Sequence, residues 1–201
     1  MSLNDKIKQA EQTYGMGGSD WFKFREGMNK IRVLAEPAVL ATHFANGKSL
    51  GVCYGKDNGC PFHMLDQDQP SVRWLTWILD YADGAIKLAG LPWKITREIG
   101  AYEASEEYSF GEYPMPFDVT VNAKNAGTMQ VEYSIVPARK NTALPQPILD
   151  ELIKKHAPEQ VVEGMKEKAR KQNAGQAGEP DAKVDYPEMD EANDAAGLGG
   201  D

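Results

Sequence analysis

The sequence predicts a mainly β domain, built as a small antiparallel barrel, followed by a short helical extension and an acidic C-terminal tail. Three observations predict this layout. Apolar and polar residues alternate in several runs before Pro137, apolar residues then recur at helical spacing from Ile148, and acidic residues crowd the end of the chain. With 201 residues, 41% of them hydrophobic, the chain can bury one core.

The first strands are marked by alternation and by the turn residues between them. We predict strands over residues 29–34, which Pro37 ends, over residues 48–54 and over residues 72–81. The last of these is rich in aromatic and β-branched residues, which favour strands. The Asp83-Gly84 step that follows it precedes the apolar run AIKLAGL. A D-G step between two such runs predicts a hairpin.

The later elements are a helix, a loop and a second hairpin. Pro92 precedes WKITREIG, where Ile95 and Ile99 form the apolar stripe of a short helix. Residues 103–116 are predicted to form a long loop. Alternation then runs through residues 117–121 and 129–135, on either side of an Asn-Ala-Gly turn at 125–127. Five or six antiparallel strands and one helix fit a Greek-key barrel such as the OB-fold better than a β-sandwich, which stays possible.

The chain divides into four segments of different composition. We predict an N-terminal arm over residues 1–18, an OB-fold-like domain over 19–140, a helical extension over 141–172 that is interrupted at Pro158, and a disordered acidic tail over 173–201. Residues 179–201 hold eight acidic residues and one basic residue, so residues 1–178 hold 22 acidic and 21 basic ones. Seven of the eight net negative charges therefore belong to the tail.

Several function classes find no support in the sequence. No apolar run approaches the ~18 residues of a membrane span, and the N-terminus lacks the apolar core of a signal peptide, so we expect a cytoplasmic protein. The common phosphate-binding, nucleophile-elbow and zinc-protease motifs are absent. We therefore expect no catalytic residues and no small-molecule substrate. The acidic pair Asp118 and Glu132 is predicted to lie on facing strands and to be solvated.

Two cysteines and two histidines fall within 21 residues of one another, spaced H-x9-C-x6-C-x2-H at His43, Cys53, Cys60 and His63. Thiolate and imidazole are the usual ligands of Zn²⁺, and the intervening Gly-Lys-Asp-Asn-Gly segment is able to form a knuckle. The spacing matches no common zinc-finger pattern. The alternative is a pair of reduced thiols beside a surface imidazole.

Aromatic residues interleave with cations, a pattern that suits single-stranded nucleic acid because bases stack on aromatic rings while cations follow the phosphates. The alternative for each aromatic residue is a place in the core. Trp74 and Trp77 lie on opposite faces of their strand, so one of them is expected in the core, with Trp77 sharing its face with Arg73. The candidate DNA-binding cations are Lys23, Arg25, Arg32, Lys48, Lys56, Arg73, Lys87, Lys124, Arg139 and Lys140. The candidate stacking residues are Trp21, Phe24, Tyr54, Trp77 and Tyr133.

Three stretches, WFKFREGMNKIRVL, RWLTWILDYADGAIKL and YPMPFDVTVNAKNAGTMQVEYSIVPAR, resemble the body of OB-fold single-stranded-DNA-binding proteins encoded by tailed phages. The resemblance covers residues 19–140. It implies a protein that coats and protects single strands during replication, recombination and repair in the cytoplasm of an infected bacterial cell. It also implies an acidic tail that recruits replication or recombination proteins and competes with DNA for the basic groove.

Two details of the resemblance bear on particular residues. The tail ends in GLGGD, whereas bacterial homologues end in an amphipathic hydrophobic tip. The large T4-type phage binding proteins carry a zinc knuckle with one His followed by three Cys, to which the His, Cys, Cys, His order here is similar with tighter spacing. A protein-interaction or virion accessory module, with a tail that only confers solubility, is the alternative function.

Overall fold

The computed structural model describes residues 21–45, 48–64, 70–128 and 130–174. Within them the fold is mainly β, with seven strands in one antiparallel sheet and three α-helices. The strands are β1 (Gly27–Val33), β2 (Ala38–Ala45), β3 (Lys48–Val52), β4 (Ser71–Asp80), β5 (Ala85–Leu91), β6 (Val119–Lys124) and β7 (Glu132–Pro137). The helices are α1 (Trp93–Glu103), α2 (Gln146–Leu152) and α3 (Pro158–Ala174). The predicted arm at 1–18 and nearly all of the predicted tail lie outside the described residues.

Strand β4 is the centre of the sheet. One of its edges pairs with β2 near its start and with β1 near its end, so that β1 and β2 lie end to end along it. Its other edge pairs with β5. Pro37 falls between β1 and β2, where it has no backbone N–H for the ladder. The outer edge of β1 pairs with β6, β6 pairs with β7, and the outer edge of β2 pairs with β3.

The segment over residues 21–25 contacts β5 and β7, two strands that are not paired with each other in the described sheet. Trp21 forms a parallel bridge with Leu88 of β5, and the backbone N–H of Phe22 donates to the Leu88 carbonyl at 2.8 Å. The Phe24 ring lies 5.0 Å from the ring of Tyr133 on β7. This segment therefore has contacts with both strands.

Both faces of the sheet are buried at β4. Successive side chains of β4 point to opposite sides and enter two different cores. One face, with Ile78, forms a core with Val33, Val119 and the Ile95 and Ile99 side chains of α1. The opposite face packs against α3. Its core contains Leu40, Leu75, Trp77, Leu88, Val162 and Ala169. Burial on both sides explains why β4 is an almost continuous apolar run.

A buried ion pair joins β1 to the start of β6. Arg32, 1% exposed, donates from Nε to Asp118 Oδ1 at 2.6 Å, and Asp118 itself is 5% exposed. Lys30 Nζ and the Tyr81 hydroxyl also bind this carboxylate, at 2.8 and 2.7 Å. Burial alone raises the pKa of Asp118, but the hydrogen bonds from Lys30, Tyr81 and Arg32 outweigh it and lower the pKa. The prediction that Asp118 is solvated is wrong, although Glu132 is exposed.

Most predicted elements are confirmed with small shifts in their ends. Strands β1, β3, β4 and β5 coincide with predicted strands, and α1 buries Ile95 and Ile99 as its pattern predicts. The prediction of five or six strands missed β2, so the sheet has seven. Helix α3 begins at Pro158, where an interruption was predicted. No helix in the described ranges is long and apolar enough to cross a membrane.

Replacing Asp118 with Asn tests the buried ion pair. We expect Asp118→Asn to lower the free energy of unfolding by about 3 kcal/mol, since it leaves the Arg32 guanidinium buried without a countercharge. Urea denaturation measures this loss. The control is Asp83→Asn, because Asp83 is an exposed carboxylate in a surface ion pair with Lys87. Similar small losses in the two variants would contradict the assignment.

The stability that Asp118→Asn loses should depend on pH in one direction. The pKa of Asp118 is lowered from its ordinary value of 3.8, so its stabilisation is complete above that value and disappears as the pH falls through the folded-state pKa. The stability difference between wild type and Asp118→Asn should be constant from about pH 5 to 7 and shrink below about pH 4. A difference of undiminished size between about pH 4 and pH 2 would show that the lost stability is not electrostatic.

Candidate metal centre and nucleic-acid surface

The β2–β3 hairpin positions the first two of the four predicted metal ligands. His43 pairs with Gly51 across the hairpin, and the register shifts between His43 and Phe44. Cys53 follows β3 directly, and its backbone N–H donates to the Ala41 carbonyl at 2.9 Å. His43 is completely buried and Cys53 is 8% exposed. The hairpin therefore fixes both side chains at the edge of the core.

The other two ligands lie around two 3-10 turns, Lys56–Asn58 and Pro61–Met64: Cys60 lies between the turns and His63 is in the second. Gly55 (φ 94°) and Gly59 (φ 76°) flank the first turn with backbone conformations that suit glycine. The chain thereby doubles back, and the Cys60 N–H donates to the Gly55 carbonyl at 3.2 Å. His63 N–H in turn donates to the Cys60 carbonyl at 3.4 Å, which places the two ligands one turn apart. We call residues 53–63 the knuckle.

The four side chains converge on one point. Cys53 Sγ lies 3.1 Å from His63 Nε2, and Cys60 Sγ lies 3.5 Å from His43 Nε2. One ligand atom of each residue lies within 4.8 Å of all the others. Bond lengths of about 2.3 Å to sulfur and 2.0 Å to nitrogen put the ligand atoms of a tetrahedral zinc site roughly 3.5 Å apart. The cluster can therefore hold a metal ion of this size.

A metal ion binds the two cysteines as thiolates, so both thiols must lose their protons. Burial raises the pKa of the Cys53 thiol, and the neighbouring Cys60 raises it further, against a backbone hydrogen bond at Gly55 and the charge of Lys166. Without a cation, two adjacent buried thiolates would repel each other. A divalent metal ion removes that cost by binding both thiolates.

The knuckle is also in contact with α3. Tyr54, 5% exposed, accepts a hydrogen bond on its hydroxyl from Asn173 Nδ2 at 3.2 Å, and the Arg170 guanidinium lies 5.8 Å from its ring centre. The Phe62 ring lies 5.4 Å from the His43 ring. The metal ligands are thus packed between the sheet edge and the C-terminal helix.

Three predicted stacking residues lie in the core. Trp77 is 7% exposed, its indole Nε1 donates to the His156 carbonyl at 2.8 Å, and Lys155 Nζ lies 5.1 Å from its ring centre. Tyr54 and Tyr133 are 5% and 9% exposed. A base cannot reach these rings unless the covering segments leave, so we remove all three from the DNA-binding set. Of Trp74 and Trp77, the latter is the more buried residue.

The other aromatic candidates are more accessible. Trp21 and Phe24 are half-buried, and both belong to the segment that contacts β5 and β7. Phe24 packs edge-on against Phe22, with ring centres 4.8 Å apart, so its ring is mainly part of the core. Trp21 packs at the margin of the second core. Both rings are therefore partly accessible to solvent.

The predicted cations fall into three groups. Arg32 and Arg73 are buried, at 1% and 8% exposure, and Arg32 is committed to Asp118. Arg25 and Lys87 meet at Asp80, where each lies 2.8 Å from a carboxylate oxygen. The exposed ones are Lys23, Lys56, Lys124, Arg139 and Lys140. The side chain of Lys48 lies outside the described residues.

Charge is distributed unevenly over the surface, which sequence reasoning missed because it divided the charge only between body and tail. Residues 93–118, which comprise α1 and the following loop, have two basic residues, Lys94 and Arg97. Their acidic residues number six: Glu98, Glu103, Glu106, Glu107, Glu112 and Asp118. Residues 119–174 have nine basic and six acidic residues. A count in shorter windows would have found this contrast.

Comparison with protein-family models, curated proteins and solved structures found nothing that matches this chain.

Zinc content and chelation test the metal centre. We expect the full chain to hold one equivalent of zinc, measured by inductively coupled plasma mass spectrometry, and a chelator to lower its melting temperature by several degrees, because metal binding stabilises the folded state. Cys60→Ser should lower both zinc content and melting temperature. The control is His156→Ala, which removes the exposed histidine outside the cluster. Substoichiometric zinc with a chelator-insensitive melting temperature would contradict a zinc site.

Proposed function

We propose that the sheet is an OB-fold-like barrel that binds single-stranded DNA. The observation that carries the proposal is the order of its elements. If β1 and β2 count as one bent strand, the order is bent strand, β4, β5, α1, β6 and β7, with β6 returning to pair with β1. Five barrel strands with a helix between the third and fourth is the order of an OB-fold. The OB-fold is a partly open Greek-key barrel. Residues 21–25 would complete it between β5 and β7.

The positions of the loops support the binding role. OB-folds hold oligonucleotides with the loops between their first and second and between their fourth and fifth strands. In this chain the first of these connections contains β3 and the knuckle, and the second is the β6–β7 turn. Each loop presents an exposed cation from the predicted DNA-binding set, Lys56 in the knuckle and Lys124 at the end of β6.

The rest of the surface limits where single-stranded DNA can bind. The outer face of β4 is covered by α3, and the α1 side carries the excess of acidic residues, which repels phosphate. The edge formed by residues 21–25 instead alternates the half-buried Trp21 with exposed Lys23 and Arg25. We propose that DNA follows this edge and the two loops, with phosphates bound by Lys23, Lys56 and Lys124 and one base stacked on Trp21.

The metal centre and the tail complete the proposal. A Zn²⁺ ion held by His43, Cys53, Cys60 and His63 would fix the knuckle and hence the position of Lys56. Backbone and stacking contacts of this kind bind without regard to sequence, which suits a protein that coats strands during replication, recombination and repair. The acidic residues of 179–201 would compete for the same cations when DNA is absent and bind replication or recombination proteins when it is present.

Charge reversal tests the proposed contacts. Fluorescence anisotropy of labelled oligo-dT should show binding that weakens with salt, with a slope of about −0.7 per phosphate contact. Lys23→Glu and Lys56→Glu should each weaken binding by about tenfold, since each converts an attraction into a repulsion. The control is Lys94→Glu, an exposed cation at the start of α1. Absence of binding at every oligonucleotide length would favour the protein-interaction module.

Removal of residues 179–201 tests the role of the tail. The truncated chain should bind oligo-dT more tightly, by about threefold or more at low salt, because a tethered polyanion no longer competes for the cations. Its salt dependence should become only slightly flatter. A full-length variant in which the eight acids are replaced by Asn or Gln should match the truncation. Unchanged or weaker binding in both variants would contradict competition by the tail.

A further inference from the structure

A cavity of about 600 Å³ opens on the acidic side of the molecule, away from the surface proposed for DNA. It lies between α1, the bend that separates β1 from β2, and the loop around residue 112. The lining residues used below are Glu36, Trp74, Glu103, Glu112 and Tyr113. Neither the proposed DNA path nor the metal centre uses any of them.

Aromatic rings form part of the cavity wall. Trp74 and Tyr113 line it, and the Trp93 ring, in a residue that is 55% exposed, lies 6.3 Å from the Trp74 ring at a tilt of 32°. The indole Nε1 of Trp74 is buried and has no hydrogen-bond acceptor among the described residues. Because this atom is buried, a ligand in the cavity meets the Trp74 ring and not its N–H.

Three carboxylates surround the aromatic wall. Glu36, Glu103 and Glu112 are exposed at the cavity, and no cation of the described chain pairs with any of them. Burial, together with the charges of Glu103 and Glu36, raises the pKa of Tyr113 to about 12. Tyr113 is therefore neutral at physiological pH and feels both negative charges. The cavity has a strong preference for a positively charged guest.

We propose that this cavity binds an arginine side chain presented by a basic segment of another protein chain. A guanidinium is planar and stacks on tryptophan, and its fork of donors pairs with carboxylates, whereas a lysine ammonium offers only a compact charge. A free polyamine carries only ammonium groups and lacks the planar guanidinium that stacks on an indole. Nucleic acid is excluded because its phosphates would meet three carboxylates.

The test is an NMR titration of the full chain with ¹⁵N-labelled tryptophan. The probe is the blocked tripeptide acetyl-Gly-Arg-Gly-amide, with the Gln tripeptide as its neutral match and the Lys tripeptide and spermidine as cation controls. The indole signal of Trp74, assigned with Trp74→Phe, should shift saturably with a dissociation constant on the order of 1 mM. Glu103→Gln and Glu36→Gln should each weaken binding by about three- to tenfold, and Glu106→Gln, outside the cavity, should not.

The outcomes separate the possible guests. Arg tripeptide binding that exceeds Lys binding, with no response to the Gln tripeptide, supports the proposal. A shift with spermidine alone would identify a free polyamine as the guest and overturn it. Equal shifts with the Arg and Gln tripeptides, or no shift at all, would also overturn it. The titration contains no DNA, so its result is independent of the proposed DNA binding.

Discussion

Burial of β4 on both faces is the constraint on which the rest of the structure depends. A strand that is covered on two sides must carry apolar residues at nearly every position, and a buried charge on it needs a countercharge. Asp80, at the end of β4, accordingly binds both Arg25 and Lys87. The ten-residue length of β4 also lets β1 and β2 share one of its edges, which brings β6 and the knuckle to opposite parts of the same sheet.

This burial also determines which surfaces remain for function. Helix α1 covers one side and α3 the other, so the ring of Trp77 stabilises the core and is not exposed to a ligand. The side chains that a ligand can reach therefore lie at the margins of the sheet. The knuckle, the β6–β7 turn and residues 21–25 carry exposed cations, while α1 and its loop carry acids around an aromatic cavity. Residues 21–25 hold two cations and no acidic residue, whereas α1 and its loop are mainly acidic.

Local patterns in the sequence predicted most of the strands and helices and the metal cluster. They failed where the burial of a residue depends on contacts with residues far away in the sequence. Alternation of apolar and polar residues predicted β4 and β5. The cysteines, histidines and two glycines of the knuckle region predicted the metal cluster. Both signals lie within a short segment of sequence. Strand β2 was missed since AVLATHFA has three alanines and little alternation. The burial of Asp118 and Tyr54 depends on partners 86 and 119 residues away, Arg32 and Asn173, which no local pattern reveals.

We propose that one margin of this sheet, and not the α1 side, binds single-stranded DNA. Amide hydrogen exchange of the full chain, with and without oligo-dT, measures this directly because it reports protection along the whole sequence. Our account predicts protection at residues 21–25, in the knuckle and in the β6–β7 turn, with none at 93–118. Protection confined to 93–118, or none anywhere under saturating oligonucleotide, would contradict it.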